Sequence, residues 1–258
     1  MTAHPAFQRQ NHRPWPVPQR AWLFRQTWLD LLFMHWPVDA SSLRALVPAD
    51  LTVQEFEGSS WVGLVPFRMS GVSLRGVPDL PWVSAFPEMN LRLYVERDGK
   101  PGVWFISLDA TNSAAVLTAR TLVHLPYFWS SMHVGHDGER VRYDSRRRFS
   151  RSRVDFRGAY WPEGAVQEAV PGTLEHFLTA RYCLYARRPD RRLERLEVHH
   201  WPWPLQPAAA DIDTNTVLEA QGIRKPASRP LLHFSRRLDV VGWAPEVISS
   251  SPASPQPR

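Results

Sequence analysis

Cysteine occurs once in 258 residues, at Cys183. That excludes an intrachain disulfide, and its place in the apolar run YCLY reads as a buried thiol rather than a nucleophile. Lysine is almost as scarce, because the 31 cationic side chains are 29 arginines with only Lys100 and Lys225. Schiff-base catalysis needs an unprotonated primary amine in a desolvated site. Lys100 follows the Asp98-Gly99 turn, where its ammonium stays in water, and Lys225 lies in the polar loop QGIRKPASRP. Neither is placed to serve as that amine.

Long apolar runs are also missing. None approaches the roughly 20 residues that cross a bilayer, and no secretory n-region and h-region opens the chain. The expectation is a soluble cytoplasmic protein without a membrane partner. A phosphate-cradling glycine loop, a Gly-x-Ser-x-Gly elbow and a dinucleotide fingerprint are all absent. The ten histidines show neither zincin nor zinc-finger spacing. The adjacent pair His199 and His200 points to opposite strand faces, so a regular strand cannot bring both to one metal. No cofactor and no metal are expected.

What the chain has is apolar bulk: 43% hydrophobic residues, including 12 tryptophans, enough for a sizeable core in one domain. The proline-rich residues 1–21 read as a flexible or strapped arm, residues 22–243 as the folded domain, and residues 244–258, APEVISSSPASPQPR, as a disordered tail. The formal charge is +6, with arginine densest between Arg140 and Arg157, where only Asp144 and Asp155 intervene. Such a strip could bind phosphates, but with no nucleic-acid motif beside it a solvated β-hairpin with outward arginines is the preferred reading, and nucleic acid is a disfavoured partner.

Alternation dominates the middle of the chain. TWLDLLFMHWPV suits a strand, and a short helix capped by Asp39 follows over residues 40–46. LTVQEF and WVGLVPFRM read as a hairpin turning at Gly58-Ser59, and the glycine at position 63 suggests close approach by another element. Over residues 88–96 Met89, Leu91, Leu93 and Val95 share one face, while Glu88, Asn90, Arg92 and Tyr94 share the other. The apolar face is core. The polar face lines either solvent or a cavity. PGVWFISLD then returns as a strand buried on both sides, so the sheet is curved or closed. Further on, Thr173 caps a short helix over residues 174–180, YCLYAR and LERLEVHH form a hairpin around Pro189-Asp190, and WPWPLQPA crosses the surface or plugs one end of a barrel.

The segment DATNSAAVLTARTLVHLPYFWSSM joins a thin, alanine-rich helix capped by Asp109 and carrying Arg120 in its last turn to a strand in which His124 and Phe128 share one face and Leu125 and Tyr127 the other. Pro126 argues for an edge or bulged strand, and an exposed edge leaves a homodimer open.

Several blocks in order, FPEMNLRLYV, GKPGVWFISLDA, the helix ending AR, HLPYF, GTLEHFLTARYCLYAR and EVHHWPWPLQPA, resemble the YqjF-like family of uncharacterised bacterial proteins over about residues 22–243. That family is similar in fold to acetoacetate decarboxylase. The resemblance implies an α+β, mainly antiparallel β architecture, an acetoacetate decarboxylase-like β-cone or barrel with a few short peripheral helices and an enclosed pocket.

The decarboxylases carry a Gly-Arg-Glu stretch and then Gly-x-Pro-Lys, whose lysine forms the Schiff base. Laid on this chain, the arginine falls on Arg120, the proline on Pro126 and the lysine on Tyr127. The two glycines become Ala119 and His124, and the glutamate becomes Thr121. Glu88 resembles the glutamate that faces the lysine. The resemblance thus implies a pocket without the amine, and imine decarboxylation is disfavoured. Tyr127 can donate a hydrogen bond to a carbonyl or enolate oxygen, Arg92 or Arg120 can hold a carboxylate, and Glu88 can move a proton, with Asn90, Tyr94 and His124 completing the lining. The expected partner is a small organic acid or carbonyl compound of unknown identity. A non-catalytic binding or regulatory module and a nucleic-acid binder acting through Arg140–Arg157 remain as alternatives.

Overall fold

The computed structural model of the chain describes residues 4–78, 84–111 and 123–248. Thirteen strands run through them: β1 (Phe24–Val38), β2 (Thr52–Val53), β3 (Ser60–Leu74), β4 (Phe86–Arg97), β5 (Lys100–Ala110), β6 (Tyr127–Asp137), β7 (Arg140–Arg147), β8 (Asp155–Pro162), β9 (Cys183–Arg187), β10 (Leu193–His199), β11 (Gln206–Asn215), β12 (Leu231–Gly242) and β13 (Glu246–Ile248). Helices are short and peripheral. Ala40–Leu43 is capped by Asp39, whose carboxylate accepts from the Ser41 N–H at 2.8 Å, and Leu174–Thr179 is capped by Thr173. Asp109, expected to cap a helix, instead lies within β5 with its carboxylate bound to Arg147 and Ser130, and the rest of that expected helix, with Arg120, falls in residues 112–122, outside the described residues.

The sheet closes on itself. In order of pairing β5, β6, β7, β8, β11, β12, β1, β3 and β4 form a ring that returns to β5. All its pairings are antiparallel except β5 with β6. A second ring uses the same staves β12, β1, β3, β4 and β5 and is completed by β9 and β10, which bridge β5 to β12. Strands shared by two rings must be covered on both faces. Leu32, Met34, Trp36, Leu64, Leu91 and Leu93 cluster with Tyr143, Phe156 and Tyr160, whereas Leu31, Phe33, Val65 and Phe67 cluster with Tyr127, Leu196, Val198 and Trp203. The face of β4 bearing Glu88, Asn90, Arg92 and Tyr94 is therefore buried among the second set.

Two local expectations are corrected. The hairpin predicted around Gly58-Ser59 shrinks to a single bridge between Phe56 and Ser59, and β2 pairs with β4 instead of β3. Pro126 precedes β6 rather than lying inside it, and β6 pairs with β5 through Tyr127–Trp129 and with β7 through Ser130–Asp137. β6 thus joins two strands in a staggered way. Within the stretch read as a disordered tail, Glu246–Ile248 pair with β10.

Residues 4–21 strap onto the barrel. Arg13 and Trp15 donate to Glu197 Oε2 at 3.0 and 2.9 Å, Lys100 donates to Glu197 Oε1 at 2.9 Å, and Arg13 Nη1 reaches the Val198 carbonyl at 2.5 Å. Lys100 is therefore ion-paired rather than free in a turn. The aromatic run after β10 acts as the plug that sequence allowed: Trp203 is buried, stacked on Trp28 at 5.3 Å and edge-on to Phe33 at 4.8 Å.

Candidate functional site

Inside the second ring, polar side chains of β4 meet partners from β1, β6 and the segment before β9. Glu88 is 2% exposed, and its Oε2 accepts a 2.7 Å hydrogen bond from the Tyr127 hydroxyl. Burial pushes the Glu88 carboxyl up to about 8, with the charge of Asp109 adding to it and bonds from Tyr127 and Asn90 opposing it. Near neutral pH this acid is mainly protonated. The Tyr127 phenol is raised well above its usual value by burial and by Glu88, so it remains a neutral donor.

Two residues further along the same face, Asn90 keeps Oδ1 without a partner. Arg92 follows, its guanidinium 5.0 Å from the Phe33 ring centre and 5.7 Å from that of Tyr94. Its Nε is buried and unbonded. Among the described residues no carboxylate pairs with Arg92.

Tyr94 ends the row. Its hydroxyl and His35 Nε2 share a 2.5 Å hydrogen bond, and burial holds the His35 imidazole well below its ordinary pKa, leaving it neutral. His35 sits opposite Gly63 in the β1–β3 register. A Cβ on Gly63 would come within 3.0 Å of the His35 ring and 3.1 Å of the Tyr94 hydroxyl. The close approach expected at position 63 is thus made by these two side chains.

Sequence reasoning missed both His35 and Arg181. His35 was hidden in an apolar run, although alternation along β1 puts it on the same face as Leu31 and Phe33. Arg181 had no local signal: it enters after the Leu174–Thr179 helix, donates to the Phe177 carbonyl at 2.7 Å, and stands 5.1 Å from the Tyr94 ring centre. The expected His124 does not join the site. It has a left-handed backbone, φ 52°, and its Nδ1 bonds Glu194 Oε2 at 2.8 Å. Arg120 lies outside the described residues.

Asp109 anchors the neighbouring wall. It is buried, receives both Arg147 Nε and Nη2 at 2.7 Å, and accepts from Ser130 Oγ at 2.6 Å. The outer face of β7 and β8 carries the other arginines, beside a concavity of about 370 Å³ lined by Ser131, Asp144, Arg146, Arg147, Arg148 and Arg157. Acids of the strip and its flank, and Asp211 from far along the chain, pair on this face. Arg140 pairs with Asp211, Arg142 with Asp137 at 2.7 Å, Arg157 with Asp144 at 2.7 Å and Arg153 with Asp155. The strip is less positive than its sequence suggests. Among the described residues no cluster of three or more His, Cys, Asp or Glu is set to hold a metal, and no helix is long and apolar enough to cross a membrane.

Comparison with known proteins gives a consistent picture. The DUF2071 family model, described as an uncharacterized conserved protein, matches residues 25–239. The uncharacterized protein YqjF of Bacillus subtilis is 44% identical over 237 residues, covering 92% of this chain and 96% of that protein. Among solved structures, the enduracididine biosynthesis enzyme MppR complexed with pyruvate aligns with a TM-score of 0.63 at 13% identity, over 88% of this chain and 91% of that one. Acetoacetate decarboxylase from Legionella pneumophila aligns with a TM-score of 0.60 at 12% identity, over 96% and 98%. At these identities the likeness shows the fold, which is the mainly β, acetoacetate decarboxylase-like barrel that the sequence resemblance implied.

Proposed function

The chain belongs to the DUF2071 family of uncharacterized conserved proteins, and we propose that it binds a small organic acid or carbonyl compound, in the cytoplasm, between Arg92 and the Tyr127–Glu88 pair. One observation carries this reading. A buried guanidinium without a counter-charge is costly, and the acid on the same face of β4 as Arg92, Glu88, is held protonated with its pKa raised to about 8. An anionic ligand supplies the missing charge. The orphaned Arg92 Nε and Asn90 Oδ1 are the atoms such a ligand satisfies.

The same arrangement suits proton transfer without lysine. Arg92 orients the carboxylate through charge-assisted hydrogen bonds. The Tyr127 hydroxyl, released from Glu88, donates to the ligand's carbonyl oxygen. Glu88, titrating near physiological pH, exchanges a proton with the adjacent carbon. Enolisation, hydration or an aldol-type addition fits these groups. On the alignment implied by the family resemblance, Tyr127 stands where decarboxylases carry their lysine, so no imine forms. That the fold-mate MppR is described with pyruvate makes 2-oxo acids the first probes.

Thermal-shift and calorimetric titration with 2-oxobutanoate and acetoacetate test the proposal. The expected result is stabilisation of the wild type that is lost in Arg92→Met, with no mass adduct after borohydride treatment. Absence of binding across 2-oxo acids and simple carboxylates refutes it. The nucleic-acid reading finds less support, because the arginines of β7 and β8 are largely matched by Asp137, Asp144, Asp155 and Asp211.

A further inference from the structure

Two buried guanidiniums approach the ring of Tyr94. Arg92 lies 5.7 Å and Arg181 5.1 Å from its ring centre, so the two cations are within about 11 Å of each other. Arg181 is only 7% exposed, and it too has no carboxylate partner among the described residues. Its contacts are neutral: the Phe177 carbonyl, Gln54 Oε1, and the rings of Phe177 and Tyr94. Glu96, whose charge reaches Arg181, is occupied by Gln54 Nε2 at 2.7 Å and makes no ion pair with it. Burial, with the charge of Arg92 adding to it, lowers the Arg181 pKa to about 10, so it stays a cation at neutral pH.

Among the described residues no carboxylate forms an ion pair with either guanidinium, and Glu96 acts on Arg181 only at longer range. His35 is neutral, Glu88 is mainly protonated, and burial raises the Tyr94 phenol above its usual pKa. Two like charges in a desolvated interior repel each other as well as losing their hydration. A single carboxylate at Arg92 leaves Arg181 uncompensated. Guanidinium-to-carboxylate bonds of about 2.8 Å at either end of a short carbon chain span the interval.

We infer that the ligand is a short dicarboxylic acid, bound with one carboxylate at Arg92 and the other at Arg181, beside Tyr94. The inference rests on the organic-acid reading above and adds to it a second anion-binding residue and a substrate class. In this assignment Arg92 holds the carboxylate next to the reacting carbonyl. Arg181 selects for length and charge at the far end. Its position is fixed by its own backbone, since its N–H donates to the Thr179 carbonyl at 2.8 Å, and by its bond to Phe177.

Calorimetric titration of the full chain with 2-oxoglutarate and with 2-oxobutanoate, which lacks the second carboxylate, tests the assignment. The wild type is expected to bind 2-oxoglutarate at least tenfold more tightly. Arg181→Gln should bring the two affinities together without abolishing 2-oxobutanoate binding, and Arg181→Lys should keep part of the preference. Equal affinities in the wild type, or an unchanged preference in Arg181→Gln, overturn the dicarboxylate inference while leaving the organic-acid reading intact. Failure of both probes to bind overturns the reading on which it rests. Should Arg181→Gln not fold, the wild-type ratio and Arg181→Lys decide the question.

Discussion

The Tyr127 hydroxyl donates to Glu88 Oε2 at 2.7 Å, joining the first residue of β6 to β4 across the buried interior. Tyr127 is separated from Glu88 by 39 residues, and both groups are withdrawn from water. Their partnership keeps a protonated acid and a neutral phenol in the interior faced by the side of β4 that also carries Arg92.

Tyr127→Phe removes the donor and leaves Glu88 with less support. Because the Tyr127 bond holds the Glu88 pKa down against burial, the variant's carboxyl should titrate above the wild-type value of about 8. Loss of one buried hydrogen bond should also cost about 1 to 2 kcal/mol. Infrared observation of the protonated carboxyl against pH checks the first, and urea unfolding the second.

Glu88→Gln isolates the pH dependence. A carboxyl raised from 4.5 to about 8 on folding binds more protons in the native than in the unfolded state, so its contribution is fully present below about pH 4.5 and is lost as pH rises through 8. At about 1.4 kcal/mol per unit the effect amounts to a few kcal/mol. Relative to Glu88→Gln, the wild type should therefore lose stability between pH 5 and 9, as read from Tm in a series of buffers. A constant difference across that range would show that Glu88 titrates normally.

Gly63→Ala tests the packing behind the site. The added methyl meets His35 at 3.0 Å and the Tyr94 hydroxyl at 3.1 Å, and both are buried groups bonded to each other. Overpacking of this kind typically costs about 1 to 3 kcal/mol. Denaturant unfolding should show that loss, and ligand affinity should fall with it because Tyr94 is displaced.

Much of this architecture was legible in the sequence. Alternation over residues 88–96 sorted Glu88, Asn90, Arg92 and Tyr94 onto one face, and Gly63 announced a close contact. The pattern of one strand cannot show what covers its second face, and here β4 is buried on both sides because two rings share it. His35 became visible only through the β1–β3 register, which sets it opposite Gly63. Arg181 meets Tyr94 across 87 positions of chain, and no local periodicity encodes such a meeting. His124 was placed by strand alternation, but its residue precedes β6 and its φ of 52° turns it toward Glu194. Likewise the arginine strip looked strongly basic until pairing brought Asp211 of β11 to Arg140 of β7.

Asp109→Asn should be more damaging than any surface change. It breaks a bidentate pair in which the Asp109 and Arg147 side chains are 1% and 3% exposed, leaving Arg147 buried without a counter-charge, a change that typically costs about 3 to 5 kcal/mol. Thermal unfolding should reveal it, whereas Asp137→Asn, at an exposed pair with Arg142, should fall within about 1 kcal/mol of the wild type.

The most direct test of the central claim is a crystal structure of the protein soaked with a 2-oxo acid. Density for the ligand is expected inside the second ring, its carboxylate on the Arg92 guanidinium and its carbonyl oxygen within hydrogen-bond reach of the Tyr127 hydroxyl. Density confined to the outer concavity at Ser131, Arg146 and Arg148, with Arg92 still unpaired, would contradict the claim.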